Sequence, residues 1–132
     1  MSVLFLLIWL TSFEQAQTLA VEEQKPILLV FSGSDWCRPC IQLDREVFQD
    51  SSFLTFAESE LVLLKADFPR SKKNRLPKEL KEHNERLAQR YNPKGEFPLI
   101  ILLDASGKEI TRTGYRPGGS TAFTAFLKAN WP

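Results

Sequence analysis

Three short runs of apolar, β-compatible residues constrain this chain more than anything else in it: Ile27–Phe31 (ILLVF), Leu61–Ala66 (LVLLKA) and Phe97–Leu103 (FPLIILL). None alternates apolar with polar as a strand with one wet face would, so each is expected to be covered on both sides, as central strands are in a sheet with helices above and below. The segments between the runs supply those helices. Phe13, Ala16, Leu19 and Ala20 recur at helical spacing ahead of Pro26, Cys37–Phe48 puts Cys40, Leu43 and Val47 on one stripe, and Lys78–Tyr91 does the same with Leu80, Leu87 and Tyr91. Ser51–Ala57 reads as one further short turn of helix. Beyond the turn Asp104-Ala105-Ser106-Gly107, Glu109–Thr113 returns as a more polar, antiparallel strand. A closing helix carries Phe123, Phe126 and Leu127 behind the Gly114–Gly119 loop, with Ser120 or Thr121 as its cap. The order β-α-β-α-β-α-β-β-α predicts an α/β fold, a central mixed sheet flanked by helices on both faces.

At 132 residues the chain is expected to be a single domain, 1–132. Its 17 Lys and Arg nearly balance 16 Asp and Glu, which argues against a nucleic-acid partner. The basic stretch Asp67–Lys78, with Arg70, Lys72, Lys73, Arg75 and Lys78, is accordingly read as a solvated connection rather than a docking surface for an acidic partner. The apolar run Val3–Leu10 is far short of the ~20 residues that span a bilayer. It is expected to form a first strand, Val3–Trp9, before a helix with Ser12 as N-cap and Gln15 at the capping-box position. The alternative, a remnant of an export leader, is weakened by the lack of Lys or Arg before the run and by a poor cleavage site. The single histidine, His83, sits on a helix with no partner readable from sequence and is expected to be a half-buried surface residue, not a general base.

The two cysteines, Cys37 and Cys40, stand in Trp36-Cys37-Arg38-Pro39-Cys40, just after the first central strand. One helical turn brings positions i and i+3 within disulfide reach. At the exposed helix start, unpaired backbone N–H groups and the helix dipole favour a negative sulfur, so Cys37 is the expected attacking thiolate. Arg38 adds a neighbouring cation, Trp36 an apolar wall, and Cys40, one turn inside and shielded, is suited to resolving a mixed disulfide. Three plainer readings compete. A structural disulfide closing so short a loop restricts the unfolded chain little; half a metal site would lack well-spaced further ligands; and two inert core thiols fit poorly with the turn residues Gly33-Ser34-Asp35 and Pro39. A CxxC at the end of a buried strand in a βαβ unit points to redox chemistry, with no metal.

Trp-Cys-x-Pro-Cys after a buried strand, Phe97-Pro98 opening a later strand and Gly107-Lys108 in the following hairpin resemble the thioredoxin superfamily over nearly the whole chain. Phe31–Cys37, Asp67-Phe68-Pro69 and Pro117-Gly118-Gly119 are similar to small exported bacterial thioredoxin-like disulfide reductases and isomerases. The resemblance implies a thioredoxin fold, Cys37 as nucleophile, Cys40 as resolving thiol, Trp36 beside them, and a cis-proline at Pro98, with Phe97 and Trp36 lining the substrate groove. It also implies a protein thiol–disulfide oxidoreductase, acting as a monomer on protein disulfides in the periplasm, with an external redox partner and no bound cofactor. Thioredoxins carry a buried carboxylate where alignment on Phe31 puts Val30; Asp35 is nearer the cysteines but, lying in a turn, is expected only to cap the helix. A reducing or intermediate couple is expected, because Pro39 is the thioredoxin-like half of the dipeptide while Arg38 favours the thiolate. A non-enzymatic module holding extended peptides near Trp36, Phe97 and Pro98 is the alternative, against which the presence of both cysteines argues.

Overall fold

The computed structural model describes residues 9–132. Helix α1 (Phe13–Glu23) leads into strand β1 (Ile27–Ser32), then helix α2 (Arg38–Leu43), which runs on as a π-helical stretch through Asp44–Phe48. Helix α3 (Ser51–Glu60), β2 (Val62–Asp67), a 3-10 turn at Lys72–Asn74, α4 (Lys78–Tyr91), β3 (Leu99–Leu103), β4 (Glu109–Thr113) and α5 (Gly119–Ala129) complete the order. The sheet is four-stranded in the order β2-β1-β3-β4. β1 runs parallel to β2 and antiparallel to β3, and β3 is antiparallel to β4. This is a thioredoxin fold with a mixed sheet and helices on both faces.

The two faces follow from strand alternation. Leu29, Phe31, Leu64 and Ile101 meet Ala16 and Ala20 of α1 and Leu87 and Tyr91 of α4, whereas Leu28, Val30, Leu63 and Ile100 meet Leu43, Val47, Phe53 and Phe123 from the opposite helices. Because both sets are needed, β1 and β3 carry no polar position facing water, and every residue of β1 is buried. The most polar strand, β4, lies at the sheet edge as its composition implies.

Several local expectations hold and several do not. Ser12 caps α1, its hydroxyl accepting the Gln15 N–H, and Pro26 follows the left-handed C-cap at Gln24. The expected strand Val3–Trp9 lies outside the described residues up to position 8; the adjoining Leu10 forms a parallel bridge to Leu64, and Trp9 packs edge-on against Phe48. The expected short turn at Ser51–Ala57 is in fact a ten-residue helix, capped by the Asp50 carboxylate and held by burial of Phe53 and Ala57 one turn apart. Neither Ser120 nor Thr121 caps α5: Gly118, at φ 107°, makes the turn into the helix. Ser120 falls inside α5, buried, with its hydroxyl unpartnered among the described residues.

Candidate active site

Strand β1 ends at Ser32, and the chain turns over Gly33, whose carbonyl accepts the N–H groups of Trp36 and Cys37. That turn delivers Cys37 to the N-cap of α2, with Pro39 in the first turn, where its missing N–H leaves no intrahelical bond unmade. Cys37 and Cys40 are joined by a disulfide with their Cα atoms 5.2 Å apart. The Cys37 sulfur occupies the place of a capping oxygen and accepts the Cys40 N–H at 3.3 Å, while the Cys40 sulfur accepts the Gly33 N–H at 3.5 Å. Both sulfurs therefore face backbone donors, and charge on Cys37 would be met by an unpaired N–H at a helix start. The anticipated contrast in exposure is absent, since each cysteine is only 4% exposed; in the disulfide the Cys37 sulfur is folded back over the first helical turn. Arg38 and Pro39 are exposed at the rim.

Trp36 is half-buried between two segments distant in sequence. Its indole N–H donates to the Phe68 carbonyl at 2.7 Å, and its ring meets Phe97 edge-on at 5.4 Å. Phe97 leads into Pro98 through a cis peptide bond, Pro98 itself being buried. Phe68 also packs edge-on against Phe97 at 5.4 Å. Trp36 and Phe97 are thus gathered into one aromatic cluster with Phe68 beside the cysteine turn, and Pro98 follows Phe97 in the chain. Gly33 makes this possible, because a Cβ there would overlap the indole, with Cζ2 at 2.6 Å and Nε1 at 2.7 Å.

The basic stretch is more than a solvated connection at its start. Phe68, Pro69 and Ser71 are half-buried, and the Arg70 guanidinium lies 3.6 Å from the centre of the Trp36 ring. Asp35 holds this segment rather than capping α2: its carboxylate accepts the Arg70 and Ser71 N–H groups, each at 2.9 Å, and the Asn74 amide at 3.0 Å. The Arg70 N–H, then the Asn74 side chain and the Ser71 N–H, keep the Asp35 carboxyl below its ordinary range. Asp35 is free for this because Cys37 occupies the N-cap. One residue earlier, Ser34 gives its N–H and hydroxyl to the Asp67 carboxylate. The signal for these contacts was in the sequence as Asp67-Phe68-Pro69 and Ser34-Asp35, but nothing local pairs them.

His83 is structural. Its Nε2 accepts the Phe13 N–H at the start of α1, so Nδ1 carries the proton and donates to Asn84 Oδ1 at 2.8 Å. The buried Asn84 passes the chain on by donating to the Asp67 carbonyl at 3.0 Å. At the position aligned with the thioredoxin carboxylate, Val30 is 2% exposed and belongs to the same apolar cluster as Leu43 and Phe123. Beside Cys40 a polar cavity of about 290 Å³ is bordered by Ser32, Ser34, Asp44 and Lys65.

A family model of the thioredoxin-like domain matches residues 13–130. The chain belongs to the thioredoxin-like family. Disulfide bond reductase DsbH of Chlamydia pneumoniae is 37% identical to it over 118 residues, 89% of this chain and 69% of that protein. Thioredoxin-related protein DsbJ of the same organism is 26% identical over 108 residues, which are 82% of this chain but 30% of DsbJ. The solved structure of a DsbH oxidoreductase superposes with a TM-score of 0.86 at 35% identity, over 94% of this chain and 83% of that one. A thioredoxin from Thermus thermophilus, 20% identical with a TM-score of 0.68 over 94% of this chain and 87% of its own, shares the fold. This thioredoxin-like protein is a thiol–disulfide oxidoreductase.

Proposed function

We propose that this thioredoxin-like enzyme reduces or isomerises disulfides of protein substrates, with Cys37 as the attacking thiolate and Cys40 as the resolving thiol. The observation that carries the reading is the Cys37 sulfur at the N-cap of α2, accepting the Cys40 N–H beside the Trp36–Phe97 cluster. In the reduced enzyme that N–H and the helix dipole stabilise a thiolate at Cys37. The thiolate attacks one sulfur of a substrate disulfide; a Cys37–substrate disulfide forms, and the other substrate sulfur leaves as a thiolate that takes a proton. Cys40 then loses its proton and attacks the Cys37 sulfur, closing the Cys37–Cys40 disulfide and releasing the second substrate thiol. An external dithiol returns two electrons to reset the enzyme. In an isomerase cycle the freed substrate thiol instead attacks the mixed disulfide before Cys40 does.

Trp36, Phe97 and Pro98 are the proposed substrate-binding rim, where proline, lacking an N–H, leaves no donor of its own to compete with an extended substrate strand. Arg38, next to Cys37, tunes the thiolate. The working form is a monomer outside the cytoplasm, a reading that rests on the resemblance of the motifs around Phe31–Cys37, Asp67-Phe68-Pro69 and Pro117-Gly118-Gly119 to small exported bacterial thioredoxin-like proteins; no described helix is long and apolar enough to cross a membrane.

Cys40→Ser should accumulate mixed disulfides with substrate proteins and Cys37→Ser should form none. Alkylation of the reduced native protein at Cys40 alone would overturn the assignment. Equilibration with glutathione should return a couple between about −270 mV and about −180 mV, whereas a value near −120 mV would make the protein a donor of disulfides.

A further inference from the structure

We infer that a cationic groove beside Trp36 seats an acidic segment of the substrate protein, so that the enzyme selects disulfides flanked by Asp and Glu; this rests on the disulfide-exchange reading above. The groove, about 480 Å³, runs from the end of β2 along the following loop to the first turns of α4. Arg70, Lys72, Arg75, Lys78 and Lys81 border it, against the carboxylates of Asp67 and Glu85. Asp67 is already engaged by Ser34. Among the described residues only Lys78 of the five cations has an ion-pair partner, Glu82 at 3.9 Å. In a chain with net charge +1, that concentration of unneutralised charge on one wall is local.

Its floor is continuous with the active site. Phe68 borders the groove and also meets Phe97, the residue before Pro98, while Arg70 reaches from the groove onto the Trp36 ring. The wall is also held in place, since Asp35 anchors Arg70, Ser71 and Asn74 through backbone and amide donors. Asp35 thereby fixes a surface of cations without neutralising their side chains. A peptide whose disulfide reaches Cys37 can lay adjacent residues against Phe68 and place its carboxylates among Arg70, Lys72, Arg75 and Lys81. Carboxylate is favoured as the recognised group because the wall offers two guanidinium forks and separate ammonium groups over an apolar floor.

The test uses the pre-reduced full chain in single turnover against two synthetic cysteine peptides, each carrying a thiopyridyl disulfide, with Glu or Gln flanking the cysteine. Cys37 displaces thiopyridone, which is followed by its absorbance, and Cys40 then releases the peptide thiol, so the enzyme's own dithiol supplies both electrons. At low ionic strength the Glu peptide should react about tenfold faster, since exposed pairs each contribute a small factor and several act together. The ratio should fall towards one as salt shortens the Debye length to about 3 Å at 1 M. K72Q/R75Q/K81Q should lower the ratio below about twofold while melting like the parent. Binding is read separately, without turnover, by titrating a Glu peptide with serine in place of cysteine into the oxidised protein and into the triple variant. Tighter binding to the parent supports the groove even if no disulfide is reduced, an outcome that would sink the exchange reading alone. Equal rates for both peptides at low salt, a preference untouched by the triple substitution, or retention on anionic phospholipid vesicles with no preference between peptides would overturn the inference.

Discussion

Gly33→Ala should destabilise the oxidised protein by about 1–3 kcal/mol, and should do so only while Trp36 is present. The three atoms nearest an added methyl all belong to the Trp36 indole. Backbone strain does not enter, because Gly33 is not among the residues at positive φ. The indole has to swing away, and three contacts go with it. The Nε1–Phe68 hydrogen bond is worth about 1 kcal/mol, the edge-on packing with Phe97 about 0.5–1.5 kcal/mol, and the Arg70 guanidinium over the ring about 0.5–1 kcal/mol at an exposed site. Against that loss, Ala restricts the unfolded chain and returns about 0.4–1 kcal/mol. For a chain of this size the net change corresponds to a fall in Tm of about 3–15 °C. Thermal unfolding of a double-mutant cycle checks the cause: in a Trp36→Ala background, Gly33→Ala should be neutral or stabilising by up to about 1 kcal/mol. A loss of the same size in both backgrounds would refute the steric argument.

Asp35→Asn should release the segment around Arg70, and its effect should depend on pH. The carboxyl is held below its ordinary value of 3.8 by the Arg70 N–H first, then Asn74 and Ser71. Its stabilisation is therefore complete above that value and lost as pH falls through the lowered one. Denaturant titrations should show a constant gap between parent and variant well above 3.8 that closes as pH falls below it; a gap independent of pH would remove Asp35 from that role. Tyr91→Phe should cost about 1–2 kcal/mol by taking the hydroxyl from the Gly107 carbonyl, which it meets at 2.5 Å. Burial raises the Tyr91 hydroxyl above its ordinary 10.0, so the fold favours the neutral form and loses stability as pH climbs past that value; the variant should lack that part of the alkaline limb. His83→Ala should leave disulfide exchange intact and lower stability by about 1–2 kcal/mol, since it strands the Phe13 N–H at the start of α1. A large loss of exchange rate at unchanged stability would instead give His83 a chemical role.

Most of the scaffold was legible before any coordinates. The runs at Ile27, Leu61 and Phe97 became β1, β2 and β3, and the stripe Cys40, Leu43, Val47 is buried as its spacing requires. Those features are carried by residues within one or two turns of each other, or by alternation along a strand, so periodicity alone exposes them. The dicysteine turn was legible for the same reason: a strand end, turn residues, a cysteine at the cap and proline in the first helical turn are all local. The helix at Ser51–Glu60 was underestimated because its serines and threonine are indifferent helix formers, and packing of Phe53 and Ala57 decided its length.

The surroundings of the cysteines come from contacts between segments far apart in the chain. Asp35 finds Arg70 at a separation of 35 residues, Trp36 finds the Phe68 carbonyl at 32, and the Phe13 N–H finds His83 at 70. A carboxylate in a turn has the same local signature whether it caps its own helix or reaches across the sheet top to another loop. Parallel pairing of β1 with β2 brings Ser32 opposite Asp67, and so sets Ser34-Asp35-Trp36 against Phe68-Pro69-Arg70. Chain neighbours encode the central strands, most of the helices and the place of the two thiols, which is why these could be read without the fold. Which side chains flank the thiols depends on the register between distant strands, and only the burial of both sheet faces selects that register.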